Sequence, residues 1–192
     1  MHFHRGGFMK ADKDRVCPVE FASGLEGKIR RWLHNPTRIL TPLIKEGLTV
    51  LDVGCGPGFF SIEIARMVGP RGRVIAADLQ DGMLELVQNK IRGTELEHRL
   101  KLVRCGKDKI NVTDRVDLIV AFYMVHEVPD KVGLFKQFRD VLKPQGKVFL
   151  VEPKLFHVSR KEFQSTLKIA EDCGFRWHEG PKIRFSWSAI LT

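Results

Sequence analysis

The chain has 192 residues, of which 43% are hydrophobic and 29% charged, and a formal net charge of +9. This length and composition are typical of one globular domain with a sizeable core. No apolar run approaches the roughly 20 residues that a membrane-spanning helix needs, and the first residues lack the apolar core of a signal peptide. Four scattered cysteines without C-x-x-C spacing argue against a zinc site or a disulfide framework. We therefore expect a cytoplasmic protein.

The excess of positive charge raises the question of nucleic-acid binding. The densest basic stretch, residues 90–109, contains seven Lys or Arg residues, but Glu95, Glu97 and Asp108 are interspersed among them. This mixture favours a solvated basic face over a nucleic-acid groove, and RNA binding remains the minority alternative.

Residues 1–46 are predicted to form an N-terminal segment and helical cap without being an independent domain. An amphipathic helix is predicted up to Asn35-Pro36, from a capping box at Ser23 and from apolar residues at helical spacing: Leu25, Ile29, Trp32 and Leu33. Pro36 can open a second helix that ends at Gly47. His2 and His4 in this segment are too isolated to indicate a metal site, and no metal is expected. Cys17 could meet a thiol or metalloid substrate, but a lone cysteine is more often a small apolar residue.

A glycine-rich turn follows the first predicted strand, Val50 to Val53. Glycines at 54, 56 and 58 allow a tight turn and a close approach of backbone to a ligand. The dinucleotide fingerprint G-x-G-x-x-G would need a glycine at 59, where this chain has Phe59. Asp52 at the strand end would repel a pyrophosphate, but it suits a ligand with an ammonium and a sulfonium group, such as S-adenosylmethionine.

A second predicted strand, Arg73 to Asp78, ends in an acid 24 positions after Gly54, close to the spacing expected for a ribose-binding carboxylate. With Val50 to Gly58 matching hydrophobic-hydrophobic-Asp/Glu-x-Gly-x-Gly-x-Gly, the chain resembles the class I S-adenosylmethionine-dependent methyltransferases. The resemblance covers about residues 48–191.

From residue 47 to 192, alternating strands and helices predict a largely parallel, two-sided sheet, and the resemblance implies that this part is the methyltransferase core. A helix capped by Asp81, one capped by Asp130 and one opening at Ser159 alternate with strands at Leu100–Cys105, Val116–Phe122 and Lys147–Val151, and two apolar runs after 174 predict a hairpin. The family resemblance implies a Rossmann-like, doubly wound α/β fold. Its seven-stranded sheet is mostly parallel, with a reversed last strand.

The resemblance also implies the cofactor site. Asp52 and the backbone of 54–58 would hold the methionine half, and Asp78 the ribose hydroxyls. Gly106 stands where many relatives have an adenine-binding acid, so either Asp108 reaches back or Lys107 and backbone groups serve instead. The predicted cofactor residues are Asp52, Gly54, Cys55, Gly56, Gly58, Asp78, Leu79, Cys105, Gly106, Lys107 and Phe122.

The stretch after the fourth strand, Ala121 to Asp130, resembles that of the ubiquinone/menaquinone-type methyltransferases, which have a His-containing turn there. His126 is either a structural residue at a helix entry or a base at the methyl acceptor, and Tyr123 and Glu127 flank it as further catalytic candidates. Glu152 is either buried near this site or at its rim. The motifs by which DNA and RNA amino-methyltransferases grip a base are absent from the stretch.

These observations predict an S-adenosylmethionine-dependent methyltransferase that acts on a small molecule, with residues 1–35 covering the acceptor pocket. Two alternatives stay open: an RNA methyltransferase that binds through the basic surface, and a non-catalytic regulator that binds the cofactor. The sequence identifies neither the acceptor nor whether the protein is a monomer or a homodimer.

Overall fold

The computed structural model describes residues 32–154 and 158–192. The predicted capping box at Ser23, Leu25, Ile29 and Cys17 therefore lie outside the described residues, as does most of the predicted cap. Of the apolar residues assigned to the first helix, Trp32 and Leu33 are described. Trp32 is 72% exposed, whereas Leu33 is half-buried and lines the main cavity.

Seven strands form one sheet with the order β3-β2-β1-β4-β5-β7-β6. The strands are β1 (Thr49–Val53), β2 (Arg73–Asp78), β3 (Leu100–Arg104), β4 (Val116–Phe122), β5 (Leu142–Pro153), β6 (Trp177–Glu179) and β7 (Ser186–Leu191). All pairs among β1–β5 are parallel, whereas β7 runs antiparallel to both β5 and β6. This confirms the predicted sheet, its reversed last strand and the C-terminal hairpin.

Helices cover both faces of the sheet because its central strands are apolar on both sides. The helices are α1 (Pro36–Leu40), α2 (Ser61–Met67), α3 (Asp81–Ile91), a 3-10 helix (Val125–Glu127), α4 (Lys131–Val141) and α5 (Arg160–Asp172). Val50 of β1 belongs to a buried cluster with α1, α2 and α3, and Leu51 belongs to a second cluster with α4 and α5. The alternation of side chains along one strand thus builds two cores, as the doubly wound fold requires.

Helix α1 is shorter than predicted. It begins as expected, with the Asn35 side chain accepting a hydrogen bond from the Arg38 amide at 3.1 Å, but it ends at Leu40 and does not reach Gly47. Pro42 has no amide hydrogen to continue the ladder of backbone hydrogen bonds, which explains the early end.

Asp81 does not cap α3. Gln80 occupies the cap position without a side-chain bond, and Asp81 is the first helical residue. The Gln80 amide donates instead to Asp78 Oδ1 at 2.9 Å, so Asp78 does part of the work that the sequence assigned to Asp81. The other two predicted caps are confirmed: Asp130 accepts from the Gly133 amide, and Ser159 and Glu162 form a complete capping box.

Strand β5 begins at Leu142, five residues before the predicted start. Leu142 pairs with Val116 of β4, and the register between the two strands then shifts before Leu118 pairs with Lys147. The pattern Lys143-Pro144-Gln145-Gly146 predicts a turn before this strand, and Gln145 has a φ of 67°. The turn is an irregularity inside β5 and does not separate the strand from α4.

Candidate functional site

The carboxyl ends of the parallel strands surround a cavity of about 1300 Å³. Asp52 is the penultimate residue of β1, whereas Asp78, Phe122 and Pro153 end β2, β4 and β5. All four residues line the cavity. Open α/β sheets bind their ligands at this edge, where strand order reverses between β1 and β4. The sequence-predicted site and the cavity of the fold therefore coincide in position.

The glycine-rich loop forms one wall of the cavity. Gly54, Gly56 and Gly58 have φ angles of 69°, 53° and 90°, a region that residues with a side chain rarely adopt. A Cβ on Gly54 would lie 2.8 Å from Cβ of Met124, in the turn after β4. The cofactor-side loop and the turn that carries the catalytic candidates are therefore in direct contact.

Gly58 has a different role from the other two glycines, because it lies outside the residues that line the cavity. A Cβ there would lie 3.0 Å from Cγ2 of Val87 in α3. Gly58 therefore permits close packing between the loop and α3, and its predicted part in cofactor binding is indirect.

Asp52 is a buried carboxylate with 2% exposure. Its Oδ2 accepts a hydrogen bond from the hydroxyl of Ser61, the first residue of α2. Burying an ionised carboxylate is costly unless hydrogen bonds or an opposite charge compensate it. A cationic ligand group in the cavity would provide that opposite charge.

Asp78 ties the end of β2 to the glycine loop. Its Oδ2 accepts from the Gly56 amide and its Oδ1 from the Gln80 amide, each at 2.9 Å. Burial raises the pKa of Asp78, while these backbone hydrogen bonds and the charge of Arg104 act in the opposite direction. The carboxylate is thus fixed in position at the cavity wall.

The loop after β3 forms the opposite end of the cavity, where Cys105, Gly106, Lys107 and Asp108 all line it. The Gly106 amide donates to the carbonyl of Lys109 at 2.7 Å, so it is engaged in the turn. Burial, together with the charge of Asp78, raises the pKa of Cys105 to about 11, which keeps this thiol neutral and unreactive at neutral pH.

An aromatic wall, defined here as Phe60, Phe122 and Tyr123, faces the same cavity. The Phe122 ring centroid lies 4.3 Å from that of Phe60 and 4.5 Å from that of Tyr123. Tyr123 has a φ of 63°, a strained value for a residue with a side chain. Its hydroxyl lies 3.0 Å from Nε2 of His34 and 2.5 Å from Oγ of Ser186.

His126 forms a dyad with Glu152, the penultimate residue of β5. Nδ1 of His126 is hydrogen-bonded to Oε2 of Glu152, and Oε1 of the same carboxylate accepts from the amides of Val125 at 2.9 Å and His126 at 3.3 Å. Burial lowers the pKa of His126, but the hydrogen bond and charge of Glu152, aided by Glu127, outweigh it and leave that pKa raised. Glu152 itself is buried, with 1% exposure.

The structure brings nearly all of the predicted site residues together. Besides those already placed, Cys55, Leu79, His126 and Glu127 line the cavity. His34 also lines it and was not predicted, because nothing in its sequence neighbourhood marks it. The position of Glu152 at the end of an apolar strand was visible in the sequence, but its contact with His126 required the fold.

Two searches of the described ranges bear on other kinds of site. In residues 32–154 and 158–192, no group of three or more His, Cys, Asp or Glu residues is arranged to hold a metal ion. Within the same ranges, no helix is long and apolar enough to cross a membrane.

Comparison with known proteins agrees with this geometry. A family model described as "Methyltransferase domain" matches residues 44–180, which include the glycine loop, Asp78 and the His126 turn. The chain belongs to this methyltransferase family. The sequence-based resemblance to class I methyltransferases is thereby confirmed.

Several relatives share the methyltransferase fold or sequence. The chain is 36% identical over 110 residues to a demethylmenaquinone methyltransferase of Lactobacillus johnsonii, a match that covers 57% of this chain and 45% of the relative. A ubiquinone/menaquinone biosynthesis C-methyltransferase of an Enterobacter species is 31% identical over 110 residues, with 57% and 44% covered. The matches thus span less than half the length of these curated relatives.

Solved structures match over more of the chain. A SAM-dependent methyltransferase from Aquifex aeolicus superposes with a TM-score of 0.81 and 25% identity, covering 92% of this chain and 98% of that one. A protein from Methanococcus maripaludis, described as a possible S-adenosylmethionine-dependent methyltransferase, gives a TM-score of 0.74 at 19% identity, with 98% and 97% covered. The second match supports the fold alone.

Proposed function

We propose that this protein is an S-adenosylmethionine-dependent methyltransferase whose acceptor is a small aromatic molecule with an ionisable hydroxyl group. One observation carries the proposal: a single cavity is lined by two buried carboxylates and the glycine loop and also by the aromatic wall and His126. The first set suits the cofactor and the second set suits the acceptor.

The residues present fit S-adenosylmethionine. Asp52 and the backbone around Gly54 and Gly56 would hold its charged methionine part, and Asp78, already fixed by two backbone amides, would accept hydrogen bonds from the ribose hydroxyls. The bound cofactor supplies an electrophilic methyl group on its sulfonium. Because that group is already activated, the protein's task is to align the acceptor and to exclude water.

The acceptor side favours a planar ring. Phe60, Phe122 and Tyr123 present tilted rings within about stacking distance of one another, and aromatic pairs gain stabilisation beyond the area they bury. Two of the relatives are a demethylmenaquinone methyltransferase and a ubiquinone/menaquinone biosynthesis C-methyltransferase, and the quinone rings in these names agree with a planar cyclic acceptor.

The choice of an acidic hydroxyl follows from the strength of His126 as a base. A phenol with a pKa near 10 lies about 3.5 pKa units above an ordinary histidine, so proton transfer costs at most about 5 kcal/mol. An aliphatic hydroxyl with a pKa close to that of water would cost about 12 kcal/mol by the same conversion. Burial and ion pairing can offset the first cost but not the second.

Calorimetry and a product assay test the proposal together. We expect S-adenosylhomocysteine to bind the full chain and NAD not to bind, and we expect S-adenosylhomocysteine to accumulate when S-adenosylmethionine is incubated with aromatic hydroxyl compounds. Turnover on RNA with strong salt dependence would favour the RNA alternative. Cofactor binding without turnover on any extract would favour a non-catalytic regulator.

The domain boundaries and the location are part of the same proposal. Residues 47–192 form the catalytic core, and the preceding segment covers the acceptor pocket; Leu33 and His34, at the start of the described part, already line the cavity. A cytoplasmic location is supported by Cys55, Cys105 and Cys173, which are free thiols, as proteins in reducing compartments usually have.

A further inference from the structure

Glu152, the partner of the cavity-lining residue His126, is almost fully buried, with 1% exposure. Its carboxylate accepts hydrogen bonds from the Val125 amide and the His126 amide and is bonded to Nδ1 of the His126 ring. Both oxygens are therefore used by the 3-10 helix that carries His126. Glu152 therefore affects His126 in two ways: its hydrogen bond fixes the orientation of the ring, and its negative charge favours the protonated ring.

The positional effect fixes the tautomer of His126. An ionised carboxylate can only accept hydrogen bonds. In the hydrogen bond between Nδ1 of His126 and Oε2 of Glu152, the proton must therefore be on Nδ1, which is the donor. In the neutral ring, Nε2 is then the nitrogen with the lone pair. His126 lines the cavity, and in this tautomer its proton-accepting nitrogen is the one that Glu152 does not hold.

We propose that Glu152 is a positioning residue that holds His126 in the Nδ1-protonated tautomer and stabilises its imidazolium, so that Nε2 takes the acceptor's hydroxyl proton. This inference rests on the proposed function. In the step, the O–H bond of the acceptor breaks, an N–H bond forms at Nε2, and the electron pair stays on the acceptor oxygen. The imidazolium later releases the proton to water, which restores the neutral ring.

The charges around His126 agree with this assignment. Glu152 faces it from β5 and Glu127 from its own 3-10 helix, with Oε1 of Glu127 at 3.9 Å from Nε2, and both favour the imidazolium. Lys131 of α4 and burial oppose it. Glu127 is one third exposed, so solvent screens its charge and Glu152 dominates.

A purely structural role for Glu152 makes a different prediction. If Glu152 only anchors the 3-10 helix to β5, a residue that still accepts from the Val125 and His126 amides should preserve the state of His126. Glu152→Gln is such a change, because its side-chain oxygen can serve both amides. Its side-chain NH₂ group, however, would face Nδ1 as a donor, and this reverses the tautomer.

Nitrogen-15 NMR of the histidine-labelled full chain with bound S-adenosylhomocysteine reads the tautomer directly, and His126→Asn assigns the signals. We expect an Nδ1–H ring with a raised pKa in the wild type, and an Nε2–H ring with a lower pKa in Glu152→Gln. Glu179→Gln on the exposed strand β6 is the matched control and should change neither. An Nε2–H ring in the wild type would overturn the inference without any variant being needed.

A coloured probe tests the proton transfer itself. 4-Nitrophenol is yellow only as its phenolate, and we expect the wild-type complex with S-adenosylhomocysteine to favour the phenolate at pH 6 by about tenfold or more over free solution. Both His126→Asn and Glu152→Gln should abolish this shift, whereas Glu179→Gln should keep it. If the wild type does not shift 4-nitrophenol towards its phenolate, or if Glu152→Gln shifts it fully, the inference is contradicted.

The affinity for S-adenosylhomocysteine separates this inference from the proposed function. If the wild type and both site variants bind S-adenosylhomocysteine in calorimetry but the tautomer or the probe result differs from the expectation, only the role of Glu152 is rejected. Failure of the wild type to bind S-adenosylhomocysteine would reject the proposed function, while the NMR spectrum of the ligand-free chain would still report whether Glu152 fixes the ring.

Discussion

Asp52 and Asp78 lie at the ends of adjacent strands β1 and β2, whose register pairs Asp52 with Ala76 and Val53 with Ala77. Both carboxylates are almost fully buried; Asp52 accepts from a serine hydroxyl, and Asp78 accepts from two backbone amides and interacts with the charge of Arg104. Burial nevertheless raises the pKa of Asp78, so hydrogen bonds from the ribose hydroxyls of a bound cofactor would stabilise its carboxylate.

Asp78→Asn is predicted to weaken S-adenosylhomocysteine binding by about 1.5–3 kcal/mol, the loss of hydrogen bonds to a charged group, or about 10- to 150-fold. The unfolding temperature of the ligand-free variant should change little, because asparagine keeps one oxygen acceptor and removes a charge that burial disfavours. Calorimetry and thermal unfolding measure the two effects. Asp81→Asn, whose side chain is 72% exposed, is the control, and equal affinity in both variants would remove Asp78 from the site.

The pH dependence of stability follows from the raised pKa of His126. The folded state binds this proton more tightly than the unfolded state, whose histidine has a pKa near 6.5. The contribution is therefore fully present below about pH 6.5 and is lost as the pH rises through the higher folded pKa. Stabilities of the wild type and His126→Asn from urea denaturation should differ most near pH 5.5 and converge towards pH 9. A gap that widened with pH would have the wrong sign.

Among the elements, the glycine loop and the turn after β4 are coupled by sterics. Gly54→Ala should cost about 1–2 kcal/mol for the left-handed backbone and about 1–3 kcal/mol more for the approach to Met124, because the new Cβ would lie 2.8 Å from that of Met124. Cofactor affinity should fall with stability. Gly47→Ala has a φ of 85° with open space around it, so it should show the backbone cost alone. Equal unfolding temperatures for the two variants would contradict the coupling.

The elements that the sequence predicts well are those set by local pattern. Asp52 and Asp78 stand at the carboxyl ends of apolar strands, and His126 lies in the turn after another such strand. Because the carboxyl ends of parallel strands converge at one edge of the sheet, the grouping of these residues could be predicted without a structure. The contact between His126 and Glu152 could not be predicted in this way. The two residues are 26 positions apart in the sequence and meet only through the register of β5 against β4. Two local predictions failed because tertiary contacts determine the structure there. At the start of α3, Asp78 and not Asp81 accepts the hydrogen bond from the Gln80 amide. The residues expected to form a turn between α4 and β5 belong to β5.

At the scale of the whole molecule, one hydroxyl joins three distant segments. Tyr123, after β4, meets His34, at the start of the described chain, and Ser186, the first residue of β7. His34 and Ser186 are both buried, and Nε2 of His34 also lies 3.3 Å from the Arg184 carbonyl. The aromatic wall is thus connected both to the N-terminal segment and to the reversed strand β7. These hydrogen bonds explain why the strained backbone conformation at Tyr123 is tolerated.

Tyr123→Phe should therefore lower the stability of the fold by more than the removal of a solvent-exposed hydroxyl group would. Two buried polar partners lose a hydrogen bond, at about 1–3 kcal/mol, which corresponds to a fall of roughly 2–12 °C in unfolding temperature for a chain of this size. The ring itself stays, so the aromatic wall and cofactor affinity should be preserved, whereas positioning of the acceptor should suffer. Urea denaturation with calorimetry of S-adenosylhomocysteine binding separates these effects. Unchanged stability would mean that the tie does not hold the segments together, and a matching loss of cofactor affinity would place the Tyr123 hydroxyl on the cofactor side of the cavity.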